Sequence, residues 1–298
     1  MDARVTVTPI ALIAGLFLSC PAVAVAEEAE KPAAPAAPAV SIFPDKNLEE
    51  AVRRYVFEKR DKKDPLTAED VRNISTINAK GKKIRDLSGL EKCVSLAMLE
   101  IGNNQVRDIR PLKDLKKLQL LDLSKNSIED LTPLAQLAGL QYIDLSDNQV
   151  ADVTPLKKLT ALRTLYLSRN RIRELRPLSG LDKLWSLSAA GNLIEKIEPL
   201  RSLKSLQKLD LQKNNIVKLS PLSELTELNL VMLDNNGIKD LSVLVAMAKK
   251  DDAGDKRFAP FWRIYLSGNP LTTSAKSEQI EELKKYGGRL TFTEAAEF

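Results

Sequence analysis

The chain has 298 residues, of which 44% are hydrophobic and 29% charged, so a folded protein with a polar surface is expected. It contains no histidine, which excludes nucleophile–histidine pairs and histidine-based metal sites. The formal net charge of +5 is spread along the chain and aromatic residues make up only 5%, so we predict no nucleic-acid partner.

Residues 1–26 are predicted to be a signal peptide. Arg4 provides a positive charge, residues 10–18 form an apolar stretch, and the small residues "AVAVA" precede a cleavage site after Ala26. Two alternatives stay open: lipidation at Cys20, and retention of the uncharged residues 5–26 as a membrane span. Cleavage would leave an exported protein, periplasmic or secreted, without a stable membrane span. Residues 27–41 then form a Pro/Ala-rich linker that cannot build a core.

Residues 42–73 are predicted to form a helical N-terminal cap. Apolar residues recur there at helical spacing, at Leu48, Ala51, Val52, Tyr55 and Val56. Thr67 and Asp70 have the spacing of a capping box at the start of a second short helix.

A 22-residue repeat fills residues 74–271. Eight contiguous units begin at residues 74, 96, 118, 140, 162, 184, 206 and 228, and a ninth begins at Phe261 after an insertion at 250–260. With the first residue of each unit as position 0, apolar residues recur at positions 0, 3, 5, 10, 13, 16 and 19. Positions 3 and 5 predict a short strand with one buried face. The spacing of three beyond them predicts a tight return arm with 3₁₀ character.

Three further residue types recur at fixed positions. Asn at position 8 predicts a ladder of buried amides bonded to the turn that leaves the strand, and Pro at position 15 fits the return arm. Asp at position 12 invites a metal hypothesis, but we favour turn capping and predict neither a metal site nor a cofactor. Cys93 falls at apolar position 19, which favours buried packing over a reactive thiol. The insertion at 250–260 is predicted to be a mobile loop, with a partner-contact loop as the alternative.

The pattern LxxLxLxxNxIxDLxPLxxLxx resembles the leucine-rich repeat, and its 22-residue form resembles bacterial internalin-type proteins. The resemblance implies an α/β solenoid: a right-handed superhelix with a concave parallel β-sheet and short 3₁₀ or irregular convex arms. A helical N-terminal cap and a C-terminal helix cap at 272–298 would close its ends. Ile280, Leu283 and Tyr286 form the apolar face of that second cap, which ends at Gly287.

Positions 2, 4 and 6 point away from the core on the concave face, so partner-binding residues are predicted there. Met98, Leu120 and Tyr142 form an outward apolar stripe at position 2, and Glu100, Asp122 and Asp144 form an acidic row at position 4. The acidic row predicts a basic or mixed partner surface. The remaining predicted contact residues are Tyr166, Ser186 and Ser188.

The sixth unit, "LWSLSAAGNLI", departs from its neighbours. Its core position 5 is Ala189 where the surrounding units carry a larger apolar residue, and Trp185 could fold over the gap. The small Ser186 and Ser188 are predicted to face outward and to form a shallow dip beside Tyr166.

We therefore predict an exported, monomeric, non-enzymatic module that binds a protein partner through its concave face. The alternative is an envelope structural or adhesion protein that contacts anionic polymer or glycan through a basic convex face. The cations that support the alternative are Lys116, Lys117, Lys157, Lys158, Arg163, Arg169, Arg171, Arg173, Arg176, Lys204, Lys249 and Lys250. We predict no catalytic residues, because the sequence shows no nucleophile–base pair, phosphate loop or metal cluster.

Overall fold

Each repeat contributes one three-residue strand at positions 2 to 4, because alternate side chains are buried there. The computed structural model describes residues 40–258 and 262–291. The strands in the described residues are β1 (Thr76–Asn78), β2 (Met98–Glu100), β3 (Leu120–Asp122), β4 (Tyr142–Asp144), β5 (Thr164–Tyr166), β6 (Ser186–Ser188), β7 (Lys208–Asp210), β8 (Leu230–Met232), β9 (Arg263–Tyr265) and β10 (Arg289–Thr291). They form one open parallel sheet in chain order, which confirms the predicted solenoid.

Several predictions fall on residues outside the described ones. These are the signal peptide at 1–26 with Cys20, residues 27–39 of the linker, residues 259–261 with Phe261 of the ninth unit, and residues 292–298 of the C-terminal cap.

Successive strands pair in a constant register, so equivalent repeat positions lie side by side. Leu99 pairs with Leu121, and Leu121 pairs with Ile143. Across the insertion, Val231 of β8 still pairs with Ile264 of β9. The insertion therefore leaves the sheet undisturbed.

The return arms contain the predicted 3₁₀ turns. They are Leu90–Lys92, Arg110–Leu112, Thr132–Leu134, Thr154–Lys158, Arg176–Leu178, Glu198–Ser202 and Ser220–Leu222. In six of them Pro occupies one of the first two positions, where the missing N–H costs no hydrogen bond. The preceding Asp caps the turn: Asp130 Oδ1 accepts from Thr132 N at 2.8 Å, and Asp152 Oδ1 accepts from Thr154 N at 2.8 Å. The geometry agrees with turn capping at position 12.

A ladder of asparagine amides joins neighbouring units. Asn170 Oδ1 accepts the N–H of Val150 in the preceding unit at 2.9 Å. Its Nδ2 donates to the carbonyl of Leu145 in the preceding unit at 2.9 Å and to that of Leu167 in its own unit at 3.0 Å. The same bonds recur around Asn104, Asn126, Asn148, Asn192, Asn214, Asn236 and Asn269. The ladder satisfies backbone groups that the strands leave unpaired at the turn.

The N-terminal cap is α1 (Lys46–Arg53), a 3₁₀ turn (Phe57–Lys59) and α2 (Ala68–Val71), which begins with the predicted capping box. Asp45 ties this cap to the first repeat. Its carboxylate accepts the N–H groups of Asn47, Leu48, Arg85 and Asp86 at 2.7–3.2 Å. Burial raises the pKa of Asp45, but the four N–H donors outweigh it and hold that pKa below its ordinary value.

Tyr55 protects the first edge of the sheet. We expected this residue on the apolar face of α1, yet it lies just beyond the helix and is 40% exposed. Its hydroxyl accepts the N–H of Asn78 at 2.8 Å, which satisfies a donor that β1 would otherwise leave unpaired at this edge.

At the other end, α3 (Ser242–Asp252) replaces a 3₁₀ turn and runs into the insertion. The described part of the insertion folds back on the helix, because Asp251 accepts the N–H groups of Arg257 and Phe258 at 2.9 and 2.8 Å. Phe258 is buried and stacks on Trp262 at a ring distance of 4.4 Å.

The C-terminal cap contains a π-helical turn (Ala275–Gln279) followed by α4 (Ile280–Lys285), and Gly287 takes a left-handed conformation after it. One strand in this region was missed. We predicted nine strands, but Arg289–Thr291 adds a tenth that pairs with β9. It follows a helix rather than a repeat, so the 22-residue pattern gave no indication of it.

Cys93 is fully buried, as its repeat position predicted. Burial and the nearby charge of Glu91 raise the pKa of its thiol to about 12, so the thiolate is disfavoured.

We expect Asn170→Ala to lower the free energy of unfolding by about 2–4 kcal/mol, because it leaves a buried N–H and buried carbonyls without partners. Urea denaturation measures this loss. Arg171→Ala, at the adjacent exposed position, is the matched control and should change stability by less than about 0.5 kcal/mol. Equal losses for both variants would contradict a stabilising ladder.

Asp45→Ala is expected to destabilise the protein by about 1–3 kcal/mol at pH 7, because two helix N–H groups and two repeat N–H groups lose their acceptor. The folded-state pKa of Asp45 is lowered, so its contribution is present above the ordinary carboxylate pKa of 3.8 and is lost as the pH falls through the lower folded value. Thermal unfolding of both proteins between pH 7 and pH 2 should show their difference shrinking only below about pH 4. A constant difference would exclude the carboxylate as its cause.

Candidate functional site

The outward apolar stripe is continuous on the concave face. Met98 pairs with Leu120, and Leu120 pairs with Tyr142. Met98 is 38% exposed, while Leu120 and Tyr142 are half-buried. Tyr166 on β5 lies against Tyr142 edge to face, with ring centroids 5.7 Å apart. These four residues, called the aromatic patch below, present adjacent apolar surface to solvent.

The hydroxyl of Tyr142 keeps its proton. Burial, followed by the charge of Asp144 and the neighbouring Tyr166, raises its pKa to about 12. Tyr142 therefore offers a partner both a ring edge and a hydrogen-bond donor.

One cation partly compensates the acidic row beside the aromatic patch. Lys80, at position 6 of the first unit, contacts Glu100 Oε1 at 2.8 Å and Asp122 Oδ2 at 2.9 Å. Asn78 Nδ2 donates to the other oxygen of Glu100 at 2.8 Å. The two hydrogen bonds to these carboxylates raise the pKa of Lys80, so the lysine stays charged.

Asp122 is 6% exposed and lies flat on the sheet. Its Oδ1 accepts from the N–H and hydroxyl of Ser124 at 2.9 and 2.7 Å. Gly102 makes room for it, because a Cβ there would lie 3.0 Å from Asp122 Oδ1 and 2.8 Å from Ser124 Oγ. Burial raises the pKa of Asp122, but Ser124 and Lys80 outweigh it and lower that pKa. Glu100 and Asp122 of the acidic row therefore already have a cation of the chain itself as a partner.

Asp144 is the member of the row without such a cation. It is half-buried and accepts the N–H of Ser146 at 2.9 Å. Burial raises its pKa, the charges of Asp122 and Asp147 add to that, and the bonds from Ser146 offset only part of it.

The predicted dip beside Tyr166 is a closed polar network. Ser186 is only 5% exposed, which corrects the prediction that it faces solvent. A small side chain at this point lies between Thr164 and Lys208, its partners in register. Ser188 Oγ lies 2.6 Å from Ser168 Oγ and donates to Asp210 Oδ2 at 2.9 Å.

Trp185 lies next to this network, at position 1. Its ring is 37% exposed and lies under the ammonium group of Lys208, 5.1 Å from the ring centroid. Ala189 is fully buried in the core.

The cations assigned to the convex face do not form one surface. Arg163 directly precedes β5, and Arg169 occupies the left-handed turn after it and pairs with Asp147. Lys204 pairs with Glu224, and Lys249 pairs with Glu282, both at 2.6 Å. Lys157, Lys158 and Arg176 line one groove on the convex side and form no ion pair among the described residues.

Other site types find no support in the part of the chain that the structure describes. It contains no group of three or more Cys, Asp or Glu side chains able to hold a metal ion. Every helix in residues 40–258 and 262–291 is too short or too polar to cross a bilayer.

Comparisons with known proteins agree with this geometry. A family model described as leucine-rich repeats (two copies) matches residues 116–158, 138–183 and 182–224. An internalin C2 from Listeria monocytogenes is 28% identical, with a TM-score of 0.65 over 85% of this chain and 95% of the internalin. The chain folds as a leucine-rich repeat protein and is similar to internalins.

Two further structures share the fold at lower identity. An internalin F from Listeria monocytogenes is 23% identical, with a TM-score of 0.57 over 86% of this chain and 96% of its own. A leucine-rich repeat protein from Leptospira interrogans is 21% identical, with a TM-score of 0.66 over 76% of this chain and 63% of its own. No curated protein matches the sequence.

Sequence reasoning missed two features of this repeat protein. Lys80 stands at position 6, where the other units mostly carry small or uncharged residues, and this exception was the available signal. Residues with positive φ recur at position 7, including Lys125, Asp147 and Arg169, and six of the nine are not glycine. The shared turn conformation overrides the usual preference for glycine there.

In the leucine-rich repeat protein, Asp144→Asn is expected to raise the melting temperature at pH 7 and to leave it unchanged at pH 3. The folded state raises the pKa of Asp144, so the cost of its charge is absent below the ordinary carboxylate value of 3.8 and grows as the pH rises through the folded value. Asn retains an oxygen that can accept the N–H of Ser146.

Asp152→Asn is the matched control, because the hydroxyl and N–H of Thr154 lower the pKa of Asp152. This control should lower the melting temperature at pH 7. A lower melting temperature for Asp144→Asn at the same pH would contradict a destabilising charge.

Proposed function

We propose that the protein is an exported binding module whose aromatic patch docks a protein partner on the concave face. The observation that carries the proposal is the unbroken row of Met98, Leu120 and Tyr142, extended by Tyr166. Soluble proteins avoid such contiguous apolar surface unless it serves binding. Tyrosine is also among the residues that dominate binding energy at protein interfaces. Export rests on the signal-like residues 1–26.

The charge balance around the patch favours an apolar or aromatic anchor on the partner. Lys80 already pairs with Glu100 and Asp122, so it takes over part of the role that a lysine or arginine of the partner would have at that point. Neutral Tyr142 adds a hydrogen bond that fixes orientation. Glu100, Asp122, Asp144 and Ser188 then act as a polar rim and support, while Ser186 lies beneath the surface.

Two structures of the same fold are complexes of a receptor with its ligand. They are the plant receptor ectodomain GASSHO1/SCHENGEN3 with CASPARIAN STRIP INTEGRITY FACTOR 2, and the plant receptor RGFR1 with RGF2, each with a TM-score of 0.55. Their identities to this chain are 22% and 20%, so they illustrate what the fold accommodates and identify no ligand here.

A second candidate function is contact with an anionic envelope polymer. The groove lined by Lys157, Lys158 and Arg176 favours it, since these cations form no ion pair among the described residues. Lys204 and Lys249 each form an ion pair with a glutamate, which reduces the positive charge elsewhere on the convex side. The groove is therefore the part of the convex side where the geometry favours this alternative.

The double variant Tyr142→Ala, Tyr166→Ala is expected to weaken partner binding by roughly 10- to 100-fold, because hot-spot aromatic residues each contribute more than about 1 kcal/mol. The partner is first captured from the envelope fraction of the native organism and identified by mass spectrometry. Its Kd is then measured with the purified proteins at several salt concentrations.

Val217→Ala removes a more exposed apolar side chain from a position outside the strands and should leave the Kd unchanged. Unchanged binding by the tyrosine variant would refute docking at the aromatic patch. Loss of binding in Lys157→Gln, Lys158→Gln with a steep salt dependence would instead favour the polymer-binding groove.

A further inference from the structure

The C-terminal half of the concave face carries a row of cations. At the first residue of consecutive strands, Lys208 pairs with Leu230, Leu230 with Arg263, and Arg263 with Arg289. The three cations are exposed and Leu230 is half-buried. Trp185 lies under Lys208, and half-buried Tyr265 lies on the same face of β9 as Arg263. These six residues are called the cationic patch below.

The charges of the cationic patch are not compensated within the described part of the chain. Neither the Arg263 nor the Arg289 guanidinium takes part in an ion pair or side-chain hydrogen bond there, and the only contact found for the Lys208 ammonium is the ring of Trp185. Asp210 lies two residues after Lys208 on the same face of β7, but its Oδ2 accepts a hydrogen bond from Ser188. The two ends of the sheet therefore differ, since the other end carries carboxylates, two of which form ion pairs with Lys80.

Arg263 and Arg289 lie side by side on neighbouring strands, whereas Leu230 separates Lys208 from them. Neighbouring strands lie about 4.8 Å apart, and like charges at that separation repel. Two guanidinium groups side by side can each bind a carboxylate through two parallel hydrogen bonds. Carboxylates from outside the chain would remove the repulsion and supply directional bonds.

We infer that the cationic patch binds an acidic segment of a protein partner. The apolar and aromatic residues between the cations favour protein over polymer, because Trp, Tyr and Arg are the residues enriched at interface hot spots. Tight binding of a polyanion depends on neutralising many charges, and three cations are few for that purpose. The inference deepens the proposed function: a partner would place an apolar anchor on the aromatic patch and carboxylates on the cationic patch.

The test uses a random dodecapeptide phage library selected on the immobilised full-length protein. A dodecapeptide spans up to about 40 Å, enough to cover the cationic patch and the strands beside it. Peptides selected on the wild type are expected to be enriched in Asp and Glu next to apolar residues. The best peptide should bind Arg263→Gln, Arg289→Gln at least about tenfold more weakly, through loss of charge-assisted bonds.

Arg171→Gln, Arg173→Gln is the matched control, because it removes the same charge from exposed arginines beyond the end of β5. It should retain the affinity of the wild type. Peptide binding should quench the fluorescence of the exposed Trp185, and this change in fluorescence should be lost in Trp185→Phe.

Several outcomes would overturn the inference. Selection of peptides without acidic enrichment, or equal affinity for the Arg263/Arg289 variant, would exclude an acidic peptide ligand at this patch. Heparin that binds in an Arg263/Arg289-dependent way, without acidic enrichment among the peptides, would identify a polyanion site instead. A different result would contradict the proposed function alone. In that case Tyr142→Ala, Tyr166→Ala would bind the natural partner with the affinity of the wild type, while acidic peptides would still be selected.

Discussion

The buried asparagine amide at position 8 is the interaction on which the rest of the structure depends. Each amide bonds backbone groups of its own unit and of the preceding one, so it fixes the rotation and spacing between neighbours. A strand of three residues supplies few hydrogen bonds by itself, and a single unit cannot bury its apolar edge. The ladder therefore converts a weak local structure into a continuous sheet of constant register. That register determines where each outward side chain lies on the concave face.

This constraint explains how much of the molecule could be predicted from sequence. Positions 3, 5 and 8 repeat because each unit must satisfy the same backbone and the same core, so periodicity alone located β1 to β9, the ladder and buried Cys93. The rows at positions 2 and 4 followed, because side chains alternate across a strand. The alignment of Met98, Leu120 and Tyr142 was thus visible in the sequence.

The features that sequence reasoning missed depend on neighbours rather than on the period. Lys80 belongs to one unit, yet it forms ion pairs with carboxylates of the next two, so the charge of the acidic row could not be judged from position 4 alone. The burial of Ser186 depends on its larger neighbours in the sheet. Strand β10 forms because α4 ends where residues 289–291 can pair with the edge of β9. No repeat motif predicts this pairing. Each of these contacts occurs at one place in the solenoid and is not repeated in the other units that the structure describes.

The rigidity of the ladder also shapes how the two concave patches could act together. Tyr142 on β4 and Arg263 on β9 are five strand steps apart, or roughly 24 Å at 4.8 Å per step. Because the register is constant even across the insertion, this separation is fixed rather than adjustable. A single partner that contacts both patches gains from pre-organisation, since little conformational entropy is lost in the solenoid. Arg263 and Arg289 would then steer and orient an approaching partner, while the aromatic patch would slow its dissociation. Positive charge at one end of the concave face and apolar surface at the other would thereby divide specificity and affinity between two regions of the same sheet.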